Sequence, residues 1–129
     1  MIVIKTIDGQ NIDGDESAVV VIAGPYPHDV GPHTYVYGVT QAVLVTAEKP
    51  DALVARLGVE PPLAKLSRPD LSPVWVKGSA VTSVRAPCPI EEQGPGEVNA
   101  ILQLGSHPQS VHEDLLTVRG IINAHGGHV

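Results

Sequence analysis

Phenylalanine is absent from this chain of 129 residues, and cysteine, methionine and tryptophan occur once each. With only three tyrosines beside Trp75, aromatic rings cannot fill an interior. Val, Ile, Leu and Ala must do so, and Val and Ile favour strands. The lone Cys88 excludes an intrachain disulfide and any zinc site built from cysteines. Basic residues are also scarce. Eight Lys and Arg face fourteen Asp and Glu, for a net charge of −6 with His neutral, which leaves no electrostatic footprint for a nucleic-acid polymer. No apolar run reaches the roughly 18 residues of a membrane helix, and no secretory leader is recognisable. A soluble, cytoplasmic chain without a membrane partner is therefore expected.

Proline and glycine are plentiful, at twelve and thirteen, and clustered rather than periodic. That predicts many turns and excludes collagen. The clusters also expose a repeat. Residues 17–27 and 79–89 lie 62 positions apart and agree at Ser17/Ser79, Ala18/Ala80, Val19/Val81, Pro25/Pro87 and Pro27/Pro89. Such a period indicates one small unit written twice. The first copy is expected over about residues 1–60 and the second over about 61–127.

Within the first copy, Ile2–Ile7 alternates and runs into Asp8-Gly9, a strong hairpin signal. A returning strand is expected at Gln10–Ile12, a turn at Gly14–Glu16 and a buried strand at Ala18–Ile22. The Pro-rich segment Gly24–Pro32 cannot form a ladder. Strands at His33–Tyr37 and Gln41–Thr46 then lead to a helix that Glu48-Lys49-Pro50-Asp51 opens and that runs to about Leu57, with Pro50 in its first turn and Gly58 beyond its end. The second copy is expected to place strands at Leu63–Ser67, Pro73–Val76, Ala80–Arg85, Glu97–Leu104 and Gln109–His112. Turns are expected at Arg68–Asp70 and Gly105–Pro108, and a long loop at Ala86–Gly96. Its helix would span Glu113–Ala124, with Leu115, Leu116, Val118, Ile121 and Ile122 as the apolar stripe. The expected fold class is α+β: two antiparallel β-meander-plus-helix units packed as one pseudo-two-fold domain. A single unit of this size is marginal alone, and open sheet surface invites self-association, so a homo-oligomer is expected.

The stretch Val45-Thr46-Ala47-Glu48-Lys49-Pro50-Asp51-Ala52-Leu53-Val54, within Ile2–Leu57, resembles the small FlbD-type proteins of flagellar operons. Ser72–Val76 and Ser79–Pro89 are similar to small uncharacterised bacterial or prophage proteins. The departures are the duplication and the long proline-rich loop in each copy. The resemblance supplies no catalytic residues and implies a non-enzymatic accessory protein.

Histidines fall in pairs: His28 and His33, His107 and His112, His125 and His128. With Asp29 or Glu113 a pair could bind zinc, but none has helical i, i+4 spacing, and no metal or other cofactor is expected. Glu48, Glu113 and Asp114 stand where helices open, as the helix dipole favours. Ser17 and Ser79 lack the Gly-x-Ser-x-Gly context of a nucleophile elbow, and Gly94-Pro95-Gly96 is no phosphate loop.

The long loops remain as binding candidates, because function concentrates on loops carried by a rigid support. The first offers Tyr26, His28, Asp29 and His33 with Tyr35 and Tyr37 following, and the second offers Arg85, Cys88, Glu91, Glu92 and Gln93. A non-enzymatic binding or assembly protein is the leading reading. A sponge for a small nucleotide signal, with Tyr26 or Tyr35 stacking near Arg85, is the second. A metal-dependent enzyme using loop histidines is the third.

Overall fold

A computed structural model of the chain describes residues 2–15, 18–24, 33–40, 43–57, 63–92, 97–104 and 107–129. They form an α+β structure of antiparallel strands and two helices, in two compact units, Met1–Pro61 and Pro62–Val129.

In the first unit, β1 (Ile2–Lys5) and β2 (Asn11–Gly14) pair as a hairpin, with Ile4 opposite Ile12. Its turn is the expected Asp8-Gly9. Gly9 adopts φ +92° and donates its N–H to the Thr6 carbonyl at 3.0 Å, while the Thr6 N–H reaches the Gln10 carbonyl at 2.8 Å. A meander of β3 (Val21–Ala23), β4 (Thr34–Tyr37) and β5 (Leu44–Thr46) follows, with Ala23 opposite Tyr35 and Tyr35 opposite Val45. Helix α1 (Pro50–Leu57) packs on β3 through buried Leu53 and Leu57. Pro50 suits the first helical turn, where a backbone donor has no partner to lose. Ile4, Val19, Val21, Ile22, Val36 and Leu53 are at most 1% exposed.

In the second unit, β6 (Leu63–Ser67) pairs with β7 (Pro73–Lys77), setting Leu66 opposite Val74. The meander β8 (Ser83–Arg85), β9 (Ala100–Leu104) and β10 (His107–Val111) follows, then α2 (Leu115–Ala124), which contacts β6 and β8. The Asp114 carboxylate caps α2 by accepting the Thr117 N–H at 2.8 Å. Trp75 is buried, and the Lys65 ammonium lies 5.5 Å from its ring centroid.

Several boundaries differ from those read in the sequence, for identifiable reasons. The apolar run Ala18–Ile22 is not all strand. The Ala18 N–H closes a turn onto the Asp15 carbonyl, so the ladder begins later. Likewise Gly78–Ala80 is a 3-10 turn, and β8 starts only at Ser83. There Gly78 lies so close to the end of α2 that a Cβ would overlap the His125 carbonyl. β2, β5 and β9 start at Asn11, Leu44 and Ala100, later than expected. His107 and Pro108, expected in a turn, belong to β10, where His107 pairs with Leu104. Pro108 is tolerated because β10 is an edge strand of its sheet. The long loop contains a 3-10 turn, Pro89–Glu92. Leu116 does not join the apolar stripe of α2: it is 80% exposed, whereas Val118 and Ile122 are buried.

The β6–β7 turn holds a leucine, Leu71, at φ +69° with its side chain 65% exposed. An L residue there is strained by about 1 kcal/mol, and a solvated side chain offsets little of it. Leu71→Gly is therefore expected to raise the unfolding free energy by up to about 1 kcal/mol. Gly78→Ala is expected to lower it by about 2 kcal/mol, because a backbone carbonyl must move. Urea denaturation followed by Trp75 fluorescence measures both.

Candidate functional site

Beyond β1 the chain stays on the sheet. Thr6 bridges Thr46, and the Ile7 N–H donates to the Val45 carbonyl at 3.0 Å. This junction sets the hairpin turn beside the β5–α1 connection and leaves two open grooves. One, of about 620 Å³, lies between Lys5–Gly9 and Thr46–Glu48. The other, of about 370 Å³, has Ile7, Asp8 and Gln10 on one side and Val43–Val45 on the other. The Thr6 hydroxyl bonds the Asp8 carboxylate and accepts the Gln10 N–H at 3.1 Å. Arg56 of α1 pairs with the Glu48 carboxylate and donates to the Val3 carbonyl at 2.7 Å. The Thr34 hydroxyl donates to the Glu48 carbonyl. Glu48 and Asp8 thus brace the backbone at the groove's rim.

In the second unit, the β6–β7 turn and the residues before α2 form a polar cluster. Arg68 is 4% exposed, and its Nε donates to Ser72 Oγ at 2.6 Å. Asp70 accepts both the hydroxyl and the N–H of Ser72. Burial pushes the Asp70 pKa up, but the two Ser72 hydrogen bonds and the Arg68 charge outweigh it and hold the carboxyl below its ordinary value. Both Glu113 oxygens accept the Ser67 N–H, at 3.0 and 3.1 Å. The His112 N–H donates to the Ser67 carbonyl at 2.8 Å, and Asn99 Nδ2 donates to the His112 carbonyl. His112 Nδ1 is buried without a hydrogen-bond partner.

The sequence-derived candidates are distributed as follows. Tyr26, His28 and Asp29 lie outside the described residues. His33 is half-buried just before β4, and Tyr35 and Tyr37 are half-buried on one face of that strand. In the second unit, Arg85 ends β8 with Nη1 at 3.4 Å from the Ala86 carbonyl and 3.9 Å from Cys88 Sγ. Glu91 and Glu92 fall in the Pro89–Glu92 turn. Of the paired histidines, His125 Nδ1 is hydrogen-bonded to the Ile121 carbonyl at 2.7 Å and His107 Nε2 lies 3.5 Å from Gln109 Oε1. Among the described residues, no three His, Cys, Asp or Glu side chains converge as a metal-ligand set. No described helix is long and apolar enough to cross a membrane.

Sequence reasoning missed the exposed aliphatics. Ile90 is 76% exposed in the second long loop, and in the first unit Ile7, Val3 and Val43 are 54%, 45% and 42% exposed. A signal existed for two kinds of these. Ile90 stands between Pro89 and Glu91 in a segment that cannot be strand, and alternation puts Val3, Lys5 and Ile7 on the face opposite Ile2 and Ile4. No family model matches the chain, and neither a curated protein nor a solved structure matches it.

Both acids with displaced titration are structural. Asp114 is held below its ordinary value chiefly by the Thr117 backbone hydrogen bond. A carboxyl depressed in the fold stabilises above its unfolded pKa of 3.8, and that contribution is lost as pH falls through the lower folded value. The urea midpoint is thus expected to drop below about pH 4, and the Asp70→Asn/Asp114→Asn variant is expected to show a flatter acid limb there.

Proposed function

We propose that this chain is a non-enzymatic binding or assembly protein, made of one hairpin–meander–helix unit used twice. It associates with itself and meets its partner through the proline-framed loops 24–32 and 86–96. The duplication is supported by hydrogen bonds that recur at fixed offsets. Thr6 N–H to Gln10 carbonyl and Arg68 N–H to Ser72 carbonyl, 62 residues on, are both 2.8 Å. Gly9 and Leu71 occupy the same turn position at positive φ, and Val21–Ala23 and Ser83–Arg85 keep the 62-residue offset. Past the loops the offset becomes 65: Leu53 N–H to Lys49 carbonyl is matched by Val118 N–H to Asp114 carbonyl. The resemblance of Ile2–Leu57 to FlbD-type proteins agrees with an accessory role.

One observation carries the binding reading: Ile90, 76% exposed in a short 3-10 turn that Pro89 opens. A buried isoleucine is worth about 1.5–3 kcal/mol over an exposed one, so Ile90 in water contributes almost nothing to the fold. Proline at 87 and 89 limits the conformations of the segment beforehand, which lowers the entropic cost of docking it.

Ile90→Asp is expected to leave the urea midpoint unchanged and to abolish recovery of a crosslinked partner from the source cells. Equal recovery with both proteins would overturn the loop assignment. A nucleotide that raises the melting temperature, with no partner recovered, would replace it with small-molecule capture.

A further inference from the structure

Among the described residues, β1 pairs with β2 along one edge only, in a two-stranded ladder. The Thr6 N–H on the Gln10 carbonyl fixes which residues are bonded across that ladder. Bonded pairs alternate, so they fall at Ile4 with Ile12 and at Ile2 with Gly14. The N–H and C=O of Val3 therefore point away from β2, toward the other edge. There β5 begins a second ladder, through the Thr6–Thr46 bridge and the Ile7 N–H on the Val45 carbonyl. Continued in register, that ladder would bring the Lys49 N–H to the Val3 carbonyl. Instead the chain turns away: Pro50 opens α1, and the Lys49 carbonyl accepts the Leu53 N–H at 3.0 Å. Arg56 of α1 returns to the vacated position. Its Nη2 donates to the Val3 carbonyl at 2.7 Å, while its Nη1 pairs with the Glu48 carboxylate.

We propose that Arg56 is an edge stop, a side chain that fills the ladder position β5 leaves and keeps an extended segment from adding to β1. An open strand edge is a template for pairing with another chain. Ile2, Val3 and Ile4 are all β-branched, the residue class that most favours such pairing. Val3 is 45% exposed, which puts this edge at the surface. Charge on the strand itself is confined to Lys5 at its end, so a guard for Val3 has to come from elsewhere. The planar guanidinium suits the task. One fork holds the carboxylate and the carbonyl together, whereas a lysine ammonium is a point charge without that fixed geometry. Glu48 in turn restrains the side chain from swinging out, and both residues belong to the first unit. The stop acts on strand pairing and does not depend on the loop assignment.

Sedimentation velocity and thioflavin T fluorescence of the full chain test this, with the wild-type distribution as the baseline. Arg56→Ala is expected to add larger species that grow with concentration and to raise thioflavin emission about tenfold. Arg56→Lys is expected to fall between the two. Lost stability alone also promotes aggregation, so two further variants separate the causes, with urea midpoints establishing that each is folded. Leu53→Val leaves a small cavity in the same unit but keeps Arg56, and it is expected to match the wild type. Val3→Pro in the Arg56→Ala background removes the outward N–H that an added strand would use, without breaking a β1–β2 bond. It is expected to return both readings to the baseline. If that double variant unfolds, the comparison of Arg56→Ala with Leu53→Val decides alone. Arg56→Ala no larger than the wild type, equal growth in Leu53→Val, or growth that survives Val3→Pro in a folded chain would each overturn the edge stop.

Discussion

One backbone hydrogen bond in each unit joins the hairpin to the last strand of the meander, and the rest of the unit depends on it. In the first it runs from the Ile7 N–H to the Val45 carbonyl, and in the second from the His112 N–H to the Ser67 carbonyl. An isolated two-stranded hairpin is marginal in water. Tying it to the end of β5 or β10 anchors the hairpin only a few residues before the helix begins. The acids next to these junctions reinforce them: Glu48 with Arg56, and Glu113 on the Ser67 N–H. Net negative charge is thus partly structural.

That closure also decides what stays outside. With Ile2 and Ile4 turned inward, Val3 and Lys5 face out, because strand side chains alternate along a regular ladder. The loops between paired strands are free of this constraint, and the second projects Ile90 into solvent. The chain therefore carries exposed apolar side chains of two origins, one set by the pleat and one by a proline-framed loop.

Much of the fold was legible in the residues. Asp8-Gly9 marked the first hairpin, Pro50 the first turn of α1, and the alternation from Ile2 the two faces of β1. What stayed hidden depended on partners distant in sequence. Nothing local in Ala18–Ile22 separates the residues of a turn from those of a strand. The decision falls to the Asp15 carbonyl at one end and the pairing of Val21 with Tyr37 at the other. Gly78 carries no mark in the sequence of its close approach to the His125 carbonyl. Leu71 is the converse, a leucine where the turn requires a conformation that favours glycine. The proposed site was less legible than the fold. Polar and aromatic loop residues attract notice in a sequence, whereas an aliphatic becomes informative only once its exposure is known.

The buried Trp75 has a further consequence. It is the chain's sole tryptophan and belongs to the second unit, while all three tyrosines, Tyr26, Tyr35 and Tyr37, belong to the first. Each half thus carries its own chromophore. Excitation at the red edge of the absorption band, where only indole absorbs, reports the second half alone, and tyrosine emission reports the first. Whether the halves melt as one cooperative body or in two steps can be read from an unlabelled, unmodified chain by comparing two wavelengths.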